Sequence, residues 1–310
     1  MIYLTHCATT YTETPTLIDD IPYPQHAHII QSSFTELHYK VKVPFIVLTN
    51  IYAGRIASIF GPVDHISTDA TACASSLKVL MDVQNLINNI GFDRVIVLSG
   101  EDSVNNLTLE FFGEAGASLQ HKDEGTTKPS AFDDTNRGFF LGQGAVLAVF
   151  EKAHPDMSEP IAKFLGAYTA SEDNNNPLGQ REDGEGYVKA IEGALFVAKI
   201  RANMIKVVKT HGTGTPVNNA AEKTALQRTL SDFVATSYKQ RIGHTMGASG
   251  LLETGILFKD IASGIVPAIA NRTEQDSVFL SSDVTAPNGA VLSLAAGMGN
   301  AYSAALFAGV

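Results

Sequence analysis

The sequence predicts an α/β fold of two similar halves, and three observations carry that expectation. Short β-branched runs alternate with stretches of helical periodicity along the chain. A small-residue turn opens a helix twice, at Thr71-Ala-Cys-Ala-Ser-Ser-Leu and at Met246-Gly-Ala-Ser-Gly-Leu-Leu. A glycine-rich turn also occurs twice, at Gly142-Gln-Gly144 and Gly297-Met-Gly299.

Taken in order, the first strand is Ile2–Thr5. Phe45–Thr49 and Arg94–Leu98 read as buried strands, with the helix Ser75–Ile90 between them, and Ala145–Phe150 as the next strand. The second half repeats this grammar. Ile205–Thr210 is a strand, helices begin near Ala220 and near Ala248, and Gly289–Ala296 and Tyr302–Ala308 close the chain as strands. Lys, His, Pro, Asp and Ser cluster near Glu151–Pro160, which sets the halves at 1–155 and 156–310. The polar stretches Gln120–Arg137 and Ser171–Gly186 read as surface loops beside a site.

Composition narrows the function classes. The chain has 310 residues, 45% apolar and 17% charged, enough for a large core. Its net charge of −10 argues against a nucleic-acid surface. Two cysteines, Cys7 and Cys73, cannot form a disulfide scaffold and suit a reducing, cytoplasmic setting. The N-terminus has no cationic region ahead of an apolar one, so it does not read as a signal peptide. Val284–Val310 carries no charged side chain, but Pro287 and several Gly and Asn residues interrupt it. Buried strands explain it better than a membrane span, and no membrane partner is expected.

Three segments carry chemistry. Cys73, flanked by small residues between a strand and a helix, is placed where amide N–H groups and the helix dipole favour a thiolate. The alternative is a small buried hydrophobe. His211-Gly-Thr-Gly-Thr-Pro216 puts a histidine at a strand end facing a crevice, the alternative being a structural histidine. Lys239-Gln-Arg-Ile-Gly-His244-Thr-Met-Gly-Ala-Ser-Gly250 sets His244 just before a helix, with Glu253 beyond. Lys239 could donate to a carboxylate or stand as a solvated surface lysine.

One cysteine and two histidines in this order resemble the β-ketoacyl-ACP synthase (ketosynthase) family of the thiolase superfamily. The resemblance rests on Thr71–Leu77, Gly138–Ala145, His211–Pro216, Lys239–Gly250 and Gly297–Asn300. It implies a thiolase-like five-layer α-β-α-β-α sandwich of two related halves, the first carrying the nucleophile and the second both histidines. It implies that Cys73 accepts an acyl chain from acyl carrier protein, and that His211 and His244 stabilise the enolate left when a malonyl group loses CO₂. The oxyanion hole implied is the backbone N–H groups of Cys73 and Met298. Lys239 and Glu253 match the family's active-site lysine and buried glutamate, and Glu222 matches an acid that ties down the His211 loop. No metal is implied, and no cofactor beyond the carrier's phosphopantetheine arm.

The sequence departs from the family pattern in several places. About forty residues separate the first strand from Asn50, so the family's N-terminal insertion is largely missing. Met298 stands where Phe is usual, Asn219 replaces Asp, Asn136-Arg137 replaces an Arg-Asp pair, and Gln143 replaces an acid. The Ser171–Pro177 loop is also short. These features suggest a homodimer or a heterodimer with a second ketosynthase subunit, and an alternative role as a chain-length-factor-like partner. Acyl carrier proteins dock on basic patches, and the nearest concentration here is Lys199, Arg201, Lys206 and Lys209. A Cys–His hydrolase such as an amidase is a third reading, for which two histidines in Gly-rich turns are the wrong set. Cys7, His6, His26, His28, His38, His65, His121 and His154 read as non-catalytic, and His26 and His28 lack a third ligand nearby.

Overall fold

The computed structural model describes residues 1–11, 53–54, 57–59, 61, 63–119, 128–133, 138–157, 159–176, 179–274 and 278–309. The chain divides into two compact units, one of residues 1–15 with 71–310 and one of residues 16–70. Within the smaller unit, the Gly61 amide donates to the Ala57 carbonyl (3.0 Å) at the end of a short helical piece. The expected strand Phe45–Thr49, the stretch between Tyr11 and Asn50, and both His26 and His28 lie outside the described residues.

The strands of the larger unit are β1 (Ile2–Tyr11), β2 (Arg94–Glu101), β3 (Gly144–Lys152), β4 (Ala162–Ser171), β5 (Ile205–Lys209), β6 (Val234–Thr236), β7 (Ile265–Val266), β8 (Val284–Thr285), β9 (Ala290–Gly297) and β10 (Ala301–Ala308). Eight of them form a mixed sheet in the order β2-β3-β1-β4-β10-β9-β5-β6, while β7 and β8 pair separately. The sheet has two wings. β1 meets β4 over three residue pairs, from Ile2↔Phe164 to Leu4↔Ala162.

The helices are α1 (Ser75–Asn85), α2 (Asn106–Glu114), α3 (Glu185–Ala198), α4 (Pro216–Thr229) and α5 (Ser249–Ala262). Side chains alternate across β10, and this alternation separates two cores. Ala305 and Phe307 face the core that holds Leu77 and Leu80 of α1 and Leu251 and Leu257 of α5. Tyr302, Ala304 and Leu306 face the core under α3 and α4. α5 also lies against β1 and β3. The layers are therefore α3/α4, sheet wing, α1/α5, sheet wing. Described residues form four of the five expected layers.

Several sequence expectations are corrected. β2 is not buried on both faces: Val97 lies in the core, whereas Ile96 (37% exposed) and Leu98 (44% exposed) share the opposite face, which no layer of the described residues covers. α4 begins at Pro216 rather than near Ala220, since proline's fixed φ and missing N–H suit a first helical turn. The segment Gln120–Arg137 is not all surface loop. Ala131, Phe132 and Asp133 within it are buried, with the Phe132 ring stacked on Phe279 at 4.1 Å. The uncharged C-terminal stretch does form strands β8–β10. No helix among the described residues is long and apolar enough to cross a membrane.

Candidate active site

The site begins at the turn Ala72–Ala74, a 3₁₀ turn running directly into α1. Ala72 has φ +45°, a left-handed conformation that disfavours a residue with a Cβ. Local hydrogen bonds hold it. The Ser75 hydroxyl donates to the Ala72 carbonyl (2.6 Å) and accepts from the Thr71 amide (2.8 Å). The chain repeats this turn at Thr245–Ser249, where Met246 has φ +42° before a second 3₁₀ turn that leads into α5. Gly247 occupies the place of Cys73 there, and its amide donates to Glu101 (3.3 Å).

Cys73 is 8% exposed, with Sγ 3.8 Å from Met246 Sδ. Phe112, Phe139, Leu141 and Met246 form its apolar surround, with Met298 packed against it. Burial pushes the Cys73 thiol up to about 11, and the nearby Lys239 only partly opposes this. The expected thiolate is thus corrected to a resting thiol. Desolvation in an apolar cluster outweighs the end of one helix.

His211 follows β5. Its backbone amide donates to Glu222 Oε1 (2.5 Å) and that of Gly212 to Oε2 (2.9 Å), with Asn218 Nδ2 on the same carboxylate (3.1 Å). Glu222, on α4, therefore fixes the His211 turn, the role that the family resemblance implies for it. His244 is held differently. Its amide donates to Phe140 O (2.8 Å), and its carbonyl accepts from the Gly142 amide (3.0 Å). The backbones of Gly142 and Gly243 touch: a Cβ on Gly142 would collide with the Ile242 carbonyl oxygen, and Gly243 sits at φ +74°. Gly142→Val is expected to destabilise the protein by about 1–3 kcal/mol through this collision, read as a lowered midpoint in thermal melts followed by circular dichroism.

The two imidazoles are 5.5 Å apart and nearly perpendicular (78°), and His244 meets the edge of Phe139 at 4.8 Å. Burial holds both well below the usual imidazole range, and the positive charges of Lys239 and Lys209 add to this. Each Nδ1 is buried without a hydrogen-bond partner. An unpaired buried N–H is rarer than an unpaired acceptor, so the single proton of each neutral ring belongs on Nε2.

Lys239 is 1% exposed, and its ammonium donates to Glu253 Oε1 (2.8 Å). The sequence reading missed the third member. Lys209 donates to Glu253 Oε2 (3.2 Å) and to the Leu294 carbonyl (2.7 Å), and none of the three side chains reaches solvent. Lys209 therefore leaves the basic surface patch to which its sequence neighbours assigned it. Lys209 projects from β5 to Glu253 of α5, on a face that this helix covers. The signal was present as a lysine at the end of an apolar strand, two residues before a histidine.

The Gly297–Gly299 turn completes the site. A Cβ on Gly297 would lie 2.8 Å from the Thr71 carbonyl and 3.2 Å from the Ala74 amide. This close approach brings Met298 beside the Cys73 turn. Among the described residues no group of His, Cys, Asp and Glu is placed to hold a metal ion.

Comparison with known proteins agrees with this arrangement. Residues 26–155 match the family model "Beta-ketoacyl synthase, N-terminal domain", and residues 161–273 match "Beta-ketoacyl synthase, C-terminal domain". The tetracenomycin polyketide synthase ketoacyl synthase alpha subunit of Streptomyces glaucescens is 30% identical over 262 residues, 80% of this chain and 60% of that one. 3-Oxoacyl-acyl-carrier-protein synthase 2 of Vibrio cholerae is 28% identical over 239 residues, 74% of this chain and 58% of that one. The chain thus spans a little over half the length of these relatives. Among solved structures, a type II polyketide synthase acyl carrier protein in complex with its ketosynthase bound to a hexaketide superposes with a TM-score of 0.81 at 20% identity, covering 87% of this chain and 69% of that one. The ishigamide ketosynthase/chain length factor superposes with a TM-score of 0.78 at 21% identity, covering 92% and 72%. With the thiolase-type layering, the doubled turn and the Cys–His–His order in place, the chain belongs to the β-ketoacyl synthase family.

Proposed function

We propose that the protein is an acyltransferase that forms carbon–carbon bonds by decarboxylative Claisen condensation, with both substrates carried on acyl carrier protein. One observation carries this reading: a buried cysteine on a strained turn shares an apolar cluster with Phe139, His244 packs on that ring, and His211 packs in turn on His244, both rings buried and uncharged. The Cys73 sulfur attacks the carrier-bound acyl thioester, the C–S bond to the carrier's phosphopantetheine arm breaks, and the acyl group stays on Cys73. The proton that Cys73 gives up passes to the departing carrier thiolate, which leaves as the free thiol; a neutral imidazole can relay it and is left uncharged. The malonyl thioester then loses CO₂, and the electron pair of the broken C–C bond becomes an enolate. Nε2–H groups of His211 and His244 stabilise its oxygen. The enolate carbon attacks the Cys73 thioester carbonyl, whose oxyanion is met by the Cys73 and Met298 amides. Expulsion of the Cys73 thiolate, which regains a proton, completes the cycle. Preorganised donors in a dry site do this work without a metal in the reading.

The same reading takes residues 1–155 and 156–310 as two related halves, supported by the matched turns at Ala72 and Met246. It includes a homodimer, or a heterodimer with a second ketosynthase subunit. The net charge of −10 supports a more basic partner for docking an acidic carrier protein. Both cysteines are free, which suits the cytoplasm.

The test is acylation by acyl-loaded carrier protein, read by intact-protein mass spectrometry. A carrier-derived thioester that disappears in Cys73→Ala is the expected result. Absence of acylation, with altered product length when a second ketosynthase is co-purified, would replace this reading by the chain-length-subunit one. Release of free acid from amides would replace it by a hydrolase.

A further inference from the structure

Lys209 has no part in the mechanism above, yet it is fully buried in a central strand. A buried ammonium is costly unless it is paired and hydrogen-bonded. This one shares its carboxylate with a second buried lysine. Two positive charges therefore meet one negative charge, and the excess acts on both His211 and His244. We propose that Lys209 is a positioning residue for the condensation site: it ties Glu253 to the Leu294 carbonyl of β9, sets the place of the Lys239 ammonium, and makes the buried Lys209–Glu253–Lys239 unit beside the histidines net positive.

The charged and titratable groups around the two rings come from four directions. Lys239 stands on the turn after β6, Glu253 on α5, Glu222 on α4 and Lys209 on β5. Glu222 already accepts from two backbone amides and Asn218. Lys239 and Glu253 would form a neutral pair without help. Lys209 is thus the member that converts a neutral pair into a net positive unit. Its bond to Leu294 O also fixes where the shared carboxylate lies along β9.

The role rests on reading the site as a condensing centre, but its test does not depend on turnover. Histidine side chains of the intact chain are titrated by NMR in the wild type, Lys209→Met and Lys209→Gln, with His211→Ala and His244→Ala used for assignment. In the wild type both rings should stay neutral well below the ordinary imidazole range. In the Lys209 variants at least one should titrate at a higher pH than in the wild type. The acid limb of malonyl decarboxylation should move the same way, so that the rate at pH 6 falls several-fold relative to that at pH 8. Lys209→Gln keeps a donor for the Leu294 carbonyl and carries the comparison if Lys209→Met does not fold. Superimposable titrations in variant and wild type would overturn the proposal, even with activity lost, because a merely structural role moves no pH limb. So would wild-type rings that titrate in the ordinary imidazole range. A wild type that neither acylates nor decarboxylates would sink the proposed function, while the titrations still decide on Lys209.

Discussion

Glu253→Ala should cost about 3–5 kcal/mol of stability, the usual penalty for removing one partner from a buried ion pair. Here the loss strands two ammonium groups, Lys209 and Lys239, with no solvent contact. The pH dependence is specific. Burial lowers Lys209 from the ordinary 10.5 to about 8, while Glu253 pulls the other way. Between these values the unfolded chain holds a proton that the folded chain has released, so stability rises with pH across that window. Without Glu253 the folded value drops further and the window extends downward. The deficit of the variant should therefore be larger at pH 6 than at pH 9. Urea melts at the two pH values check this, and a deficit independent of pH would contradict it.

The second large effect is on chemistry alone. His211→Ala and His244→Ala should each slow malonyl decarboxylation roughly 100- to 1,000-fold, the range found for removing one preorganised oxyanion donor. Acylation of Cys73 should persist in at least one of them, because the thiol requires one base while the enolate uses both donors. Neither ring bears the fold's main packing: His211 is held through its backbone amide on Glu222, and His244 through its backbone pairing with Phe140 and Gly142. Thermal midpoints close to wild type are the matching control. Single-turnover decarboxylation measured beside mass-spectrometric acylation separates the two steps.

Much of this was legible in the sequence because turns and strand ends are written in residue type. Small residues around Cys73 and Met246 mark places where backbone must pass close to backbone, and Gly142 and Gly243 are such a pair. The order of Cys73, His211 and His244 gave the family, and the resemblance to that family then implied Glu222 and Glu253. Other features depend on what packs overhead. Lys209 looks like a surface lysine until α5 packs over its face of β5 and brings Glu253 to it. The state of Cys73 could not be read from its helix either, since the walls that desolvate it come from Phe112, Phe139 and Met246. β2 reads as buried by composition, yet the exposure of Ile96 and Leu98 is set by whether a layer covers their face.

The doubled turn has a consequence for how such a chain can change. One copy carries a thiol at its tip, and the other carries Gly247, whose missing side chain leaves room for Glu101 and the Ala72 carbonyl. A Cβ there would meet Glu101 Oε1 at 2.8 Å, so a side chain at Gly247 requires the Glu101 carboxylate to swing away and give up its bond to the Gly247 amide. The two tips thus differ in what they carry, a thiol on one and the Glu101 contact on the other. Each tip is held from the other end of the chain: Phe140 and Gly142 pair with the His244 backbone, and Gly297 lies against the Thr71 turn. Exchange of segments between relatives across residues 153–161 would therefore have to preserve both contacts at once.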